Sequence, residues 1–584
     1  MMKELVHFKK VVTVTVILTF ILAMFLGGCG GSSTLVAPDV QTSSTAWSFG
    51  VMSDTQWISP ADGKNPNAVA VDIIRQLNQQ FIQKGVKFVV QVGDLTQNGN
   101  VADVDTTALF RQPLYNAGIG FFPLRGNHES KSTAAVEFQR VFPQTQTGQM
   151  NATPADVFTN AAVNPDAATQ PSPVKTGTAF TVGSHFSSPD PSGNGNLKGL
   201  SYSFDFNNAR FVLLDQFTPT DNDTVNYALD KTIAKQQSWI SSTLSGKPAS
   251  GHAFVFSHKG LITENHTDTL FGNDPSQNPD AQNAFIGSMA QNGARYLMMG
   301  HDHMHQRSVV TSPDGKSQVQ NVTCASDSSK FYIPLGNAEL PGTVNNDMKY
   351  NNPTRETSIS QERNTVGYYI VTVDGPRVTV DYYSAVVNAT FDTAKGEYTI
   401  TTTPTMTFTK RETYGYSLNG KETLVAEGRP YATVQDTFSG TTAKILSGNN
   451  NSTTLDGSGR ALTNAVDTGW SATTTGTNSN ILTLWGITKT MGSTQTDTYT
   501  LSMSYDPSQV SAIHAQSGAI GLATPGINGK WVNAVSRNTG GTSKFVFGPW
   551  QSSYGLGTYG VDTATNTAWA VINYNGNFVV APGI

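Results

Sequence analysis

The sequence has few cysteines and few charged residues, and each shortage excludes a class of protein. Cys29 and Cys324 are the two cysteines among 584 residues, so one disulfide is the most the chain can form, which excludes a disulfide scaffold. Charged residues make up 14%, and the net charge is −5 with a pI near 6.1. Because nucleic-acid-binding proteins usually carry a basic patch, we expect no nucleic-acid binding. Aromatic residues at 10% argue against a disordered chain.

The N-terminus carries an apolar run from Val11 to Leu26. It is too short for a comfortable membrane span, and it lies between a lysine-rich start and small residues, as in a signal peptide. Its end, Leu26-Gly27-Gly28-Cys29, resembles a bacterial lipoprotein box, which implies that residues 1–29 are a signal peptide and that Cys29 is lipidated. We therefore expect an exported, membrane-anchored lipoprotein of the bacterial cell envelope. The alternative is an uncleaved N-terminal anchor.

Composition and periodicity divide the rest of the chain. Residues 30–46 are rich in Gly, Ser, Thr and Pro and predict a flexible tether. From 47 to about 384 strands alternate with helices, as in a layered α/β domain, with a polar insertion at about 144–199. Residues 385–409 are predicted to be connecting strands or a linker. From 410 to 584, short strands separated by turn residues predict an all-β sandwich or barrel.

Chemically active side chains follow the predicted strands of the α/β domain. The apolar run from Phe88 to Gly93 predicts a buried strand, and Asp94 lies at its carboxyl end, where open α/β sheets place their chemistry. Other strand ends carry further groups that can bind metal or transfer protons: Asp54, Gln56, Asn127, His128, His258, His301 and His303. We expect these side chains to meet at one edge of a sheet.

These motifs resemble, in their order, those of the calcineurin-like metallophosphoesterases: Gly93-Asp94, Gly126-Asn127-His128-Glu129, His258 and Gly300-His301-Asp302-His303. The resemblance implies an α/β layered fold, a β-sandwich flanked by helices, followed here by the C-terminal all-β domain. It also implies two divalent metal ions roughly 3.5–4 Å apart and attack of a metal-bound hydroxide on a phosphomonoester or phosphodiester. The expected partner is a phosphate-ester substrate.

The resemblance also implies a role for each residue of the motifs. One metal would take Asp54, Gln56, Asp94 and His303, and the other Asp94, Asn127, His258 and His301, so that Asp94 bridges the two. Residues two apart at a strand end can point the same way, which suits the pair His301 and His303. His128 would be the catalytic residue, stabilising phosphoryl charge or protonating the leaving oxygen.

Gln56 departs from the family pattern, which has histidine at this position. Its amide oxygen can still ligate, and the first metal would then have three oxygen donors and one nitrogen. Such a donor set moves the preference from zinc towards Mn²⁺, Mg²⁺, Ca²⁺ or iron. The alternative is that Gln56 is a spectator and that solvent completes the coordination.

Several other residues have two interpretations. Arg125 and Lys259 flank ligands and either meet a substrate phosphate or are solvated charges at the rim. Either the side chain of His305 points into the site, or it lies outside the site, at the surface or as a support for the ligands. Glu129 and Asp302 are expected to orient imidazoles or cap turns, and Trp239 and Cys324 to pack in the core.

The sequence thus predicts an exported phosphoesterase that depends on two metal ions. A second hypothesis is a surface binding or adhesion lipoprotein whose C-terminal β domain binds glycan or envelope material, with the phosphoesterase domain secondary or inactive. The substrate, the metals and the oligomeric state stay open.

Overall fold

The structure, a computed structural model, describes residues 45–56, 69–150, 180–189, 197–217, 233–340, 355–402 and 405–584. The predicted signal peptide with Cys29, nearly all of the tether and most of the insertion at 144–199 lie outside these residues. Among the helices within these ranges, none has the length and apolarity needed to cross a membrane.

The helices lie mainly in the first half of the chain. Val69–Lys84 is amphipathic, buries Ile73 and Leu77, and stops at Gly85, whose φ of 64° is left-handed. We number the helices α1 to α8: Val69–Lys84, Val101–Leu109, Gln112–Asn116, Ser132–Val141, Gln144–Thr147, Ile233–Ser245, Pro279–Gln291 and Ala512–Ser517. Short 3₁₀ turns span Asn127–Glu129, Tyr431–Thr433, Pro507–Gln509 and Ala534–Arg537.

Strands of two sheets form the first domain. In chain order the strands up to residue 417 are β1 Trp47–Met52, β2 Phe88–Gln91, β3 Gly120–Pro123, β4 Gln149–Met150, β5 Phe180–Thr181, β6 Ser184–Ser187, β7 Tyr202–Phe206, β8 Ala209–Leu214, β9 His252–Ser257, β10 Tyr296–Met299, β11 His305–Thr311, β12 Gln318–Thr323, β13 Lys330–Tyr332, β14 Glu356–Glu362, β15 Thr365–Asp374, β16 Arg377–Val386, β17 Thr390–Asp392, β18 Glu397–Thr399 and β19 Thr409–Ser417. A six-stranded sheet has the order β19-β16-β15-β1-β2-β3, and an eight-stranded sheet has the order β14-β11-β12-β10-β9-β8-β7-β6. Strands β4 and β5 pair separately.

The core of this domain lies between the two sheets. Phe49 and Phe88 of the first sheet stack at 5.4 Å, and Phe211 of the second meets Phe49 edge-on at 5.0 Å. The free cysteine Cys324 is buried in the same cluster, as expected. Helices α1, α2 and α4 contribute to the apolar core on the outer face of the first sheet, and α6 and α7 to that of the second. Trp239 packs against the latter core, so the predicted helix-flanked β-sandwich is confirmed.

The first sheet extends beyond the predicted end of the domain at 384. Strand β19 pairs with β16 from Arg377↔Ser417 to Ser384↔Thr409, and Tyr414 and Tyr416 of β19 enter the sandwich core. The predicted boundary at 410 places all but the first residue of β19 in the C-terminal domain, so this boundary cuts through the sheet. The predicted linker at 385–409 also contains β17 and β18, which form a three-stranded sheet with β13.

The remaining strands form the predicted C-terminal all-β region. They are β20 Glu422–Val425, β21 Gln435–Phe438, β22 Thr441–Ser447, β23 Asn464–Ser471, β24 Ile481–Trp485, β25 Tyr499–Ser504, β26 Ile520–Pro525, β27 Trp531–Asn533, β28 Lys544–Phe547, β29 Thr558–Asp562, β30 Thr567–Ile572 and β31 Gly576–Pro582. They make two six-stranded sheets, β20-β23-β24-β31-β26-β27 and β21-β22-β25-β30-β29-β28. One apolar cluster, which includes the fully buried Trp470, combines residues of both sheets, so the region is a sandwich.

Candidate metal centre

The predicted ligands meet where strands of both sheets end. Asp54 and Gln56 follow β1, Asp94 follows β2, and Asn127 begins the turn after β3, all in the first sheet. The second sheet supplies the histidines, which follow β9 and β10: His258, His301 and His303. Apart from Asn127, each of these side chains belongs to a residue at most 5% exposed. Strand ends from two facing sheets thus build one buried polar centre.

The Asp and His side chains form two groups that could each hold a metal ion. One contains Asp94, His258 and His301, and the other contains Asp54, Asp94 and His303. Within each group the ligand atoms all lie within 4.8 Å of one another. Because Asp94 belongs to both groups, its carboxylate lies between two potential cation positions.

The two remaining predicted ligands border these groups. Asn127 Oδ1 lies 2.9 Å from His258 Nε2, which is itself 3.3 Å from Asp94 Oδ1. The Gln56 amide lies 3.1 Å from His303 Nε2, which is 3.6 Å from Asp54 Oδ1. The structure therefore brings together every residue that the motifs predict as a ligand.

Four of the ligands have a left-handed backbone. The φ angles are 38° at Asp54, 46° at Asp94, 77° at His301 and 51° at His303. For a non-glycine residue this conformation costs a free energy of order 1 kcal/mol or more, and residues in it cluster at functional sites. Here the sharp turn at each strand end aims the side chain at the centre.

Two motif glycines leave room for the carboxylates. A Cβ at Gly126 would overlap the Asp94 carboxylate and backbone nitrogen, and a Cβ at Gly300 would overlap Ser53 and the Asp54 carboxylate. In addition, the backbone amide of His301 donates to both oxygens of Asp54 at 3.1 Å. The glycines are therefore needed for close approach of backbone to ligand, which explains the Gly-Asn-His and Gly-His-Asp-His motifs.

Backbone and carboxylate acceptors fix the orientation of the three imidazoles. His258 Nδ1 donates to the Val92 carbonyl at 3.0 Å, and His303 Nδ1 donates to the Lys330 carbonyl at 2.9 Å. In both residues Nε2 is left to face the centre. His301 instead has its Nε2 3.3 Å from Asp268 Oδ1 and its ring stacked on His266 at 3.8 Å between centroids. Such partners set the tautomer and position of a metal-binding histidine.

The two carboxylates have different proton affinities. Burial raises the pKa of Asp54 to about 7, although the nearby His258 opposes this change. Burial would also raise the pKa of Asp94, but His258 and His128 outweigh it and hold the pKa well below its usual value. Asp94 is therefore ionised over the physiological range, as a shared metal ligand must be.

The histidines respond to the same charges. Burial lowers the pKa of His301 and of His303 well below the usual value, so both imidazoles are neutral and able to ligate. Burial also acts to lower the pKa of His258, but Asp94 and Asp54 reverse the effect and raise it to about 9. A metal ion at His258 must therefore displace a proton.

His128 lies at the accessible side of the centre. Its side chain is 22% exposed, and its Nε2 is 3.8 Å from Asp94 Oδ2. Its Nδ1 bonds to the Gln97 carbonyl, so this nitrogen carries a proton and Nε2 faces the centre. Burial lowers the pKa of His128. The placement agrees with a residue that touches substrate and not metal.

The acidic neighbours of the motif residues hold loops, as predicted. Glu129 accepts hydrogen bonds from the backbone nitrogens of Thr96 at 2.8 Å and Gly126 at 3.0 Å, which caps the turn around Asn127. Asp302 accepts from His266 Nδ1 at 2.8 Å and thereby orients an imidazole.

Arg125 and Lys259 are not solvated charges at the rim, so that interpretation is wrong. Arg125 is fully buried and donates to Asp215 at 2.6 Å and to the Glu129 carbonyl at 3.1 Å. Lys259 is also buried and pairs with Asp268. Because both cations are already paired with carboxylates, their predicted contact with a substrate phosphate has no support in the structure.

His305 neither points into the site nor lies on the surface. It is fully buried in the core, where it lies 2.7 Å from the Tyr369 hydroxyl and 3.0 Å from Glu412 and stacks on Tyr382. Strand β11 starts at this residue, and its side chain points into the sandwich. It therefore supports the packing of β19 on the first domain.

Sequence reasoning missed three residues beside the ligands. His266 and Asp268 lie in the loop after His258 and contact His301. Lys330, at the start of β13, directs its side chain at Gln56. None of them belongs to a motif or directly follows an apolar strand, so no signal separates them from other polar residues.

Comparisons with known proteins are consistent with this geometry. Residues 48–305 match the family model of the calcineurin-like phosphoesterases. A search of curated proteins gave no match.

Three solved structures illustrate the structural likeness. One is described as GAP50, the anchor in the inner membrane complex of Plasmodium; it is 12% identical with a TM-score of 0.32, and the match covers 62% of this chain and 90% of that one. A purple acid phosphatase, PPD1 from yellow lupin (Lupinus luteus) seeds, is 13% identical with a TM-score of 0.33, and the match covers 63% of this chain and 55% of that one. A dimetal phosphatase from Danio rerio is 14% identical with a TM-score of 0.29, and the match covers 57% of this chain and 95% of that one.

The assignment rests on the family model and on the arrangement of the motif residues, since TM-scores this low carry no argument. The matched residues contain every predicted ligand, from Asp54 to His303. They also contain both groups of potential metal ligands around Asp94. The chain therefore carries a calcineurin-like phosphoesterase domain, with a metallophosphoesterase fold, over residues 48–305.

Proposed function

We propose that this domain hydrolyses phosphomonoesters or phosphodiesters at a centre that holds two divalent cations around Asp94. The observation that carries the proposal is that the Asp94 carboxylate belongs to both Asp/His groups. An ionised carboxylate offers two oxygens, so it can bind one cation with each. A shared anionic ligand offsets the repulsion between two cations that are held close together.

Two half-sites follow from the motif residues. The first half-site consists of Asp54, Gln56, Asp94 and His303, and the second half-site consists of Asp94, Asn127, His258 and His301. Their donor types, carboxylate, amide and neutral imidazole, suit divalent metals such as Mn²⁺, Fe²⁺ and Zn²⁺. When bound, the cations supply Lewis acidity, which neutralises phosphoryl charge and makes water a better nucleophile.

The substrate would approach from the side of Asn127 and His128. These two residues are partly exposed, whereas the predicted ligands other than Asn127 are buried. A phosphoryl group on this side would lie next to His128 Nε2, which is 3.3 Å from the Gln56 amide and 3.8 Å from Asp94 Oδ2. Specificity would then depend on the loops around this opening.

His128 would act on the leaving oxygen or on phosphoryl charge. Since Nδ1 donates to the Gln97 carbonyl, the neutral ring presents an unprotonated Nε2 to the centre. Donation to a leaving oxygen therefore requires the imidazolium form, which the negative charge of a bound phosphate ester favours. A positioned acid of this kind contributes about 10²–10⁴-fold to the rate.

The proposal is tested by assaying the purified protein on an aryl phosphomonoester and an aryl phosphodiester, side by side. We expect hydrolysis of at least one substrate with Mn²⁺, loss of activity after chelation, and recovery on adding the metal back. The Asp94→Asn variant should have almost no activity because the ligand common to both half-sites is weakened. Equal activity with and without metal, or in Asp94→Asn, would contradict the proposal.

We further propose that the protein is exported and held at the membrane by a lipid on Cys29. The support is the N-terminal sequence, with its lysine-rich start, its apolar run and Leu26-Gly27-Gly28-Cys29. Labelling with a radioactive fatty acid in a bacterial host should mark the wild type and leave the Cys29→Ala variant unmarked. Equal labelling of both would refute the assignment of Cys29.

A further inference from the structure

Lys330 introduces a positive charge at the first half-site. Its residue is 6% exposed, and the charges of Asp94 and Asp54 act on its ammonium group. Its own carbonyl accepts the Nδ1 hydrogen bond of His303, which fixes the start of β13 against the centre. Within the part of the chain that the structure describes, Lys330 forms no ion pair with a carboxylate.

The side chain of Gln56 connects Lys330 to the ligands. One end of its amide lies 2.7 Å from Asp94 Oδ2 and 3.3 Å from His128 Nε2. The other end lies 2.6 Å from Lys330 Nζ and 3.1 Å from His303 Nε2. A lysine ammonium can only donate, and an ionised carboxylate can only accept. The hydrogen bonds therefore place the amide oxygen at Lys330 and the amide nitrogen at Asp94.

In this orientation Gln56 is not a metal ligand. Its oxygen is bound to the ammonium group, and its nitrogen faces the carboxylate that the first cation needs. For Gln56 to ligate, the amide must reverse so that its oxygen lies beside Asp94. The NH₂ group would then face the Lys330 ammonium, donor against donor, and the ammonium would lose its acceptor.

Lys259, which follows the second half-site's His258 in sequence, is placed differently. Lys259 is paired with Asp268, so a carboxylate lies between this cation and His301. The amide of Asn127 faces His258, a fellow ligand, and has no lysine among its described hydrogen-bond partners. Among the described residues, the first half-site alone thus faces a cation that bonds directly to one of its predicted ligands, Gln56.

We propose that Lys330 makes the two half-sites unequal in their affinity for metal. It holds the Gln56 amide away from the first cation, and its positive charge repels that cation. The first half-site therefore binds its metal weakly, while the second half-site retains its own. The inference rests on the proposed function in one respect, namely that the centre binds divalent cations. Its consequence is an enzyme whose activity follows the free metal concentration through the first half-site.

The test is metal binding by the full chain, measured without reference to activity. Protein loaded with Mn²⁺ is desalted, its metal content is determined by elemental analysis, and Mn²⁺ binding is followed by calorimetry. We expect wild type to keep about one equivalent and Lys330→Met about two, with the weaker binding step at least about tenfold tighter in the variant. Lys330→Gln is neutral but keeps an N–H donor for Gln56, so it should gain metal affinity by a smaller factor than Lys330→Met.

Lys395→Met is the matched control, because Lys395 is exposed and contributes charge near Lys330 without bonding to Gln56. It should leave both binding steps unchanged. Wild type that keeps two equivalents, or lysine variants that bind Mn²⁺ like wild type, would overturn the inference. If the Lys330 variants gain metal while no phosphate ester is hydrolysed, the inference stands and the proposed function fails. If phosphate esters are hydrolysed but the Lys330 variants bind metal like wild type, the proposed function stands and the inference fails.

Discussion

Arg460 of the C-terminal region clamps Glu264 of the phosphoesterase domain, with Nη2 2.8 Å from each carboxylate oxygen. The same guanidinium donates to the buried Glu356 and, at 2.6 Å, to Asp456. The backbone amide of Glu264 bonds to Asp302, which holds His266 against His301. One arginine, Arg460, therefore connects the C-terminal sandwich to the loop of the phosphoesterase domain that lies beside the second half-site.

Replacing this arginine should loosen both the contact and the loop. We expect Arg460→Met to lower the free energy of unfolding by roughly 3–5 kcal/mol, because buried carboxylates lose their cation. Turnover should fall together with metal retention at the second half-site. Urea unfolding and elemental analysis measure the two effects. Arg429→Met, which removes an exposed arginine of the same region, should change neither; similar losses in both variants would contradict the specific role of Arg460.

The buried group around Glu412 should make stability depend on acid pH. Burial would raise the pKa of Glu412, but Arg307 and His305 outweigh it and lower the pKa from 4.5 to about 2. A lowered pKa in the folded state stabilises the protein above the unfolded pKa, and the contribution disappears as the pH falls from about 4.5 to 2. We expect wild type to lose on the order of 3 kcal/mol over this range.

The Glu412→Gln variant tests this contribution. It should be less stable than wild type at neutral pH, since Arg307 is left without its carboxylate, and its stability should vary less between pH 4.5 and 2. Urea unfolding at a series of pH values provides the measurement. Parallel pH profiles for the two proteins would show that Glu412 does not titrate as described.

His128 should affect turnover and leave the metals in place. In His128→Ala we expect kcat to fall by about 10²–10⁴-fold with unchanged metal content, because the residue faces the substrate side and is not a ligand. Steady-state kinetics with elemental analysis on the same samples measures both. Loss of metal equal to that in Asp94→Asn would mean that His128 is a ligand after all.

Gln56 should influence which metals the first half-site accepts. Histidine at this position adds a nitrogen donor and cannot accept a hydrogen bond from Lys330 through an amide oxygen. We therefore expect Gln56→His to hold zinc more tightly at the first half-site than wild type does. Competition between Mn²⁺ and Zn²⁺, followed by elemental analysis, measures the preference. Two tightly held zinc ions in wild type, unchanged in the variant, would refute this prediction.

Gly126 should not tolerate a side chain. A Cβ there would overlap the Asp94 carboxylate and backbone nitrogen, so Gly126→Ala must displace the shared ligand. We expect loss of bound metal and activity, with unfolding free energy reduced by about 1–3 kcal/mol. Gly555→Ala is a suitable control for glycine replacement alone, because its Cβ meets nothing within 4 Å and its backbone is not left-handed. A Gly126→Ala protein with full metal content would disprove the packing argument.

The ligands were predictable from sequence because each follows a short apolar strand within a recognisable motif. Asp94, Asn127 and His303 lie together in the fold as the order of motifs implies. The helix-flanked sandwich followed from the alternation of strands and helices. Both predictions depend on local patterns, which sequence displays directly.

What the sequence did not reveal depends on pairing between distant residues. Arg125 is buried because Asp215, 90 residues away, accepts its hydrogen bond, and no local pattern marks the pair. Nothing in the sequence of β19 marks the sheet that it joins, so its assignment to the first sheet depends on β16 as a partner. Lys330 contacts Gln56 although the two residues lie far apart in the sequence, and no local pattern marks this pair either.

The central claim is that Asp94 is shared by two metal ions, and a crystal structure of the protein soaked in saturating Mn²⁺ tests it most directly. Anomalous scattering locates manganese independently of any assumption about the ligands. We predict two peaks, one on each side of the Asp94 carboxylate, the first beside Asp54 and His303 and the second beside His258 and His301. A single peak, or two peaks that do not both contact Asp94, would contradict this account.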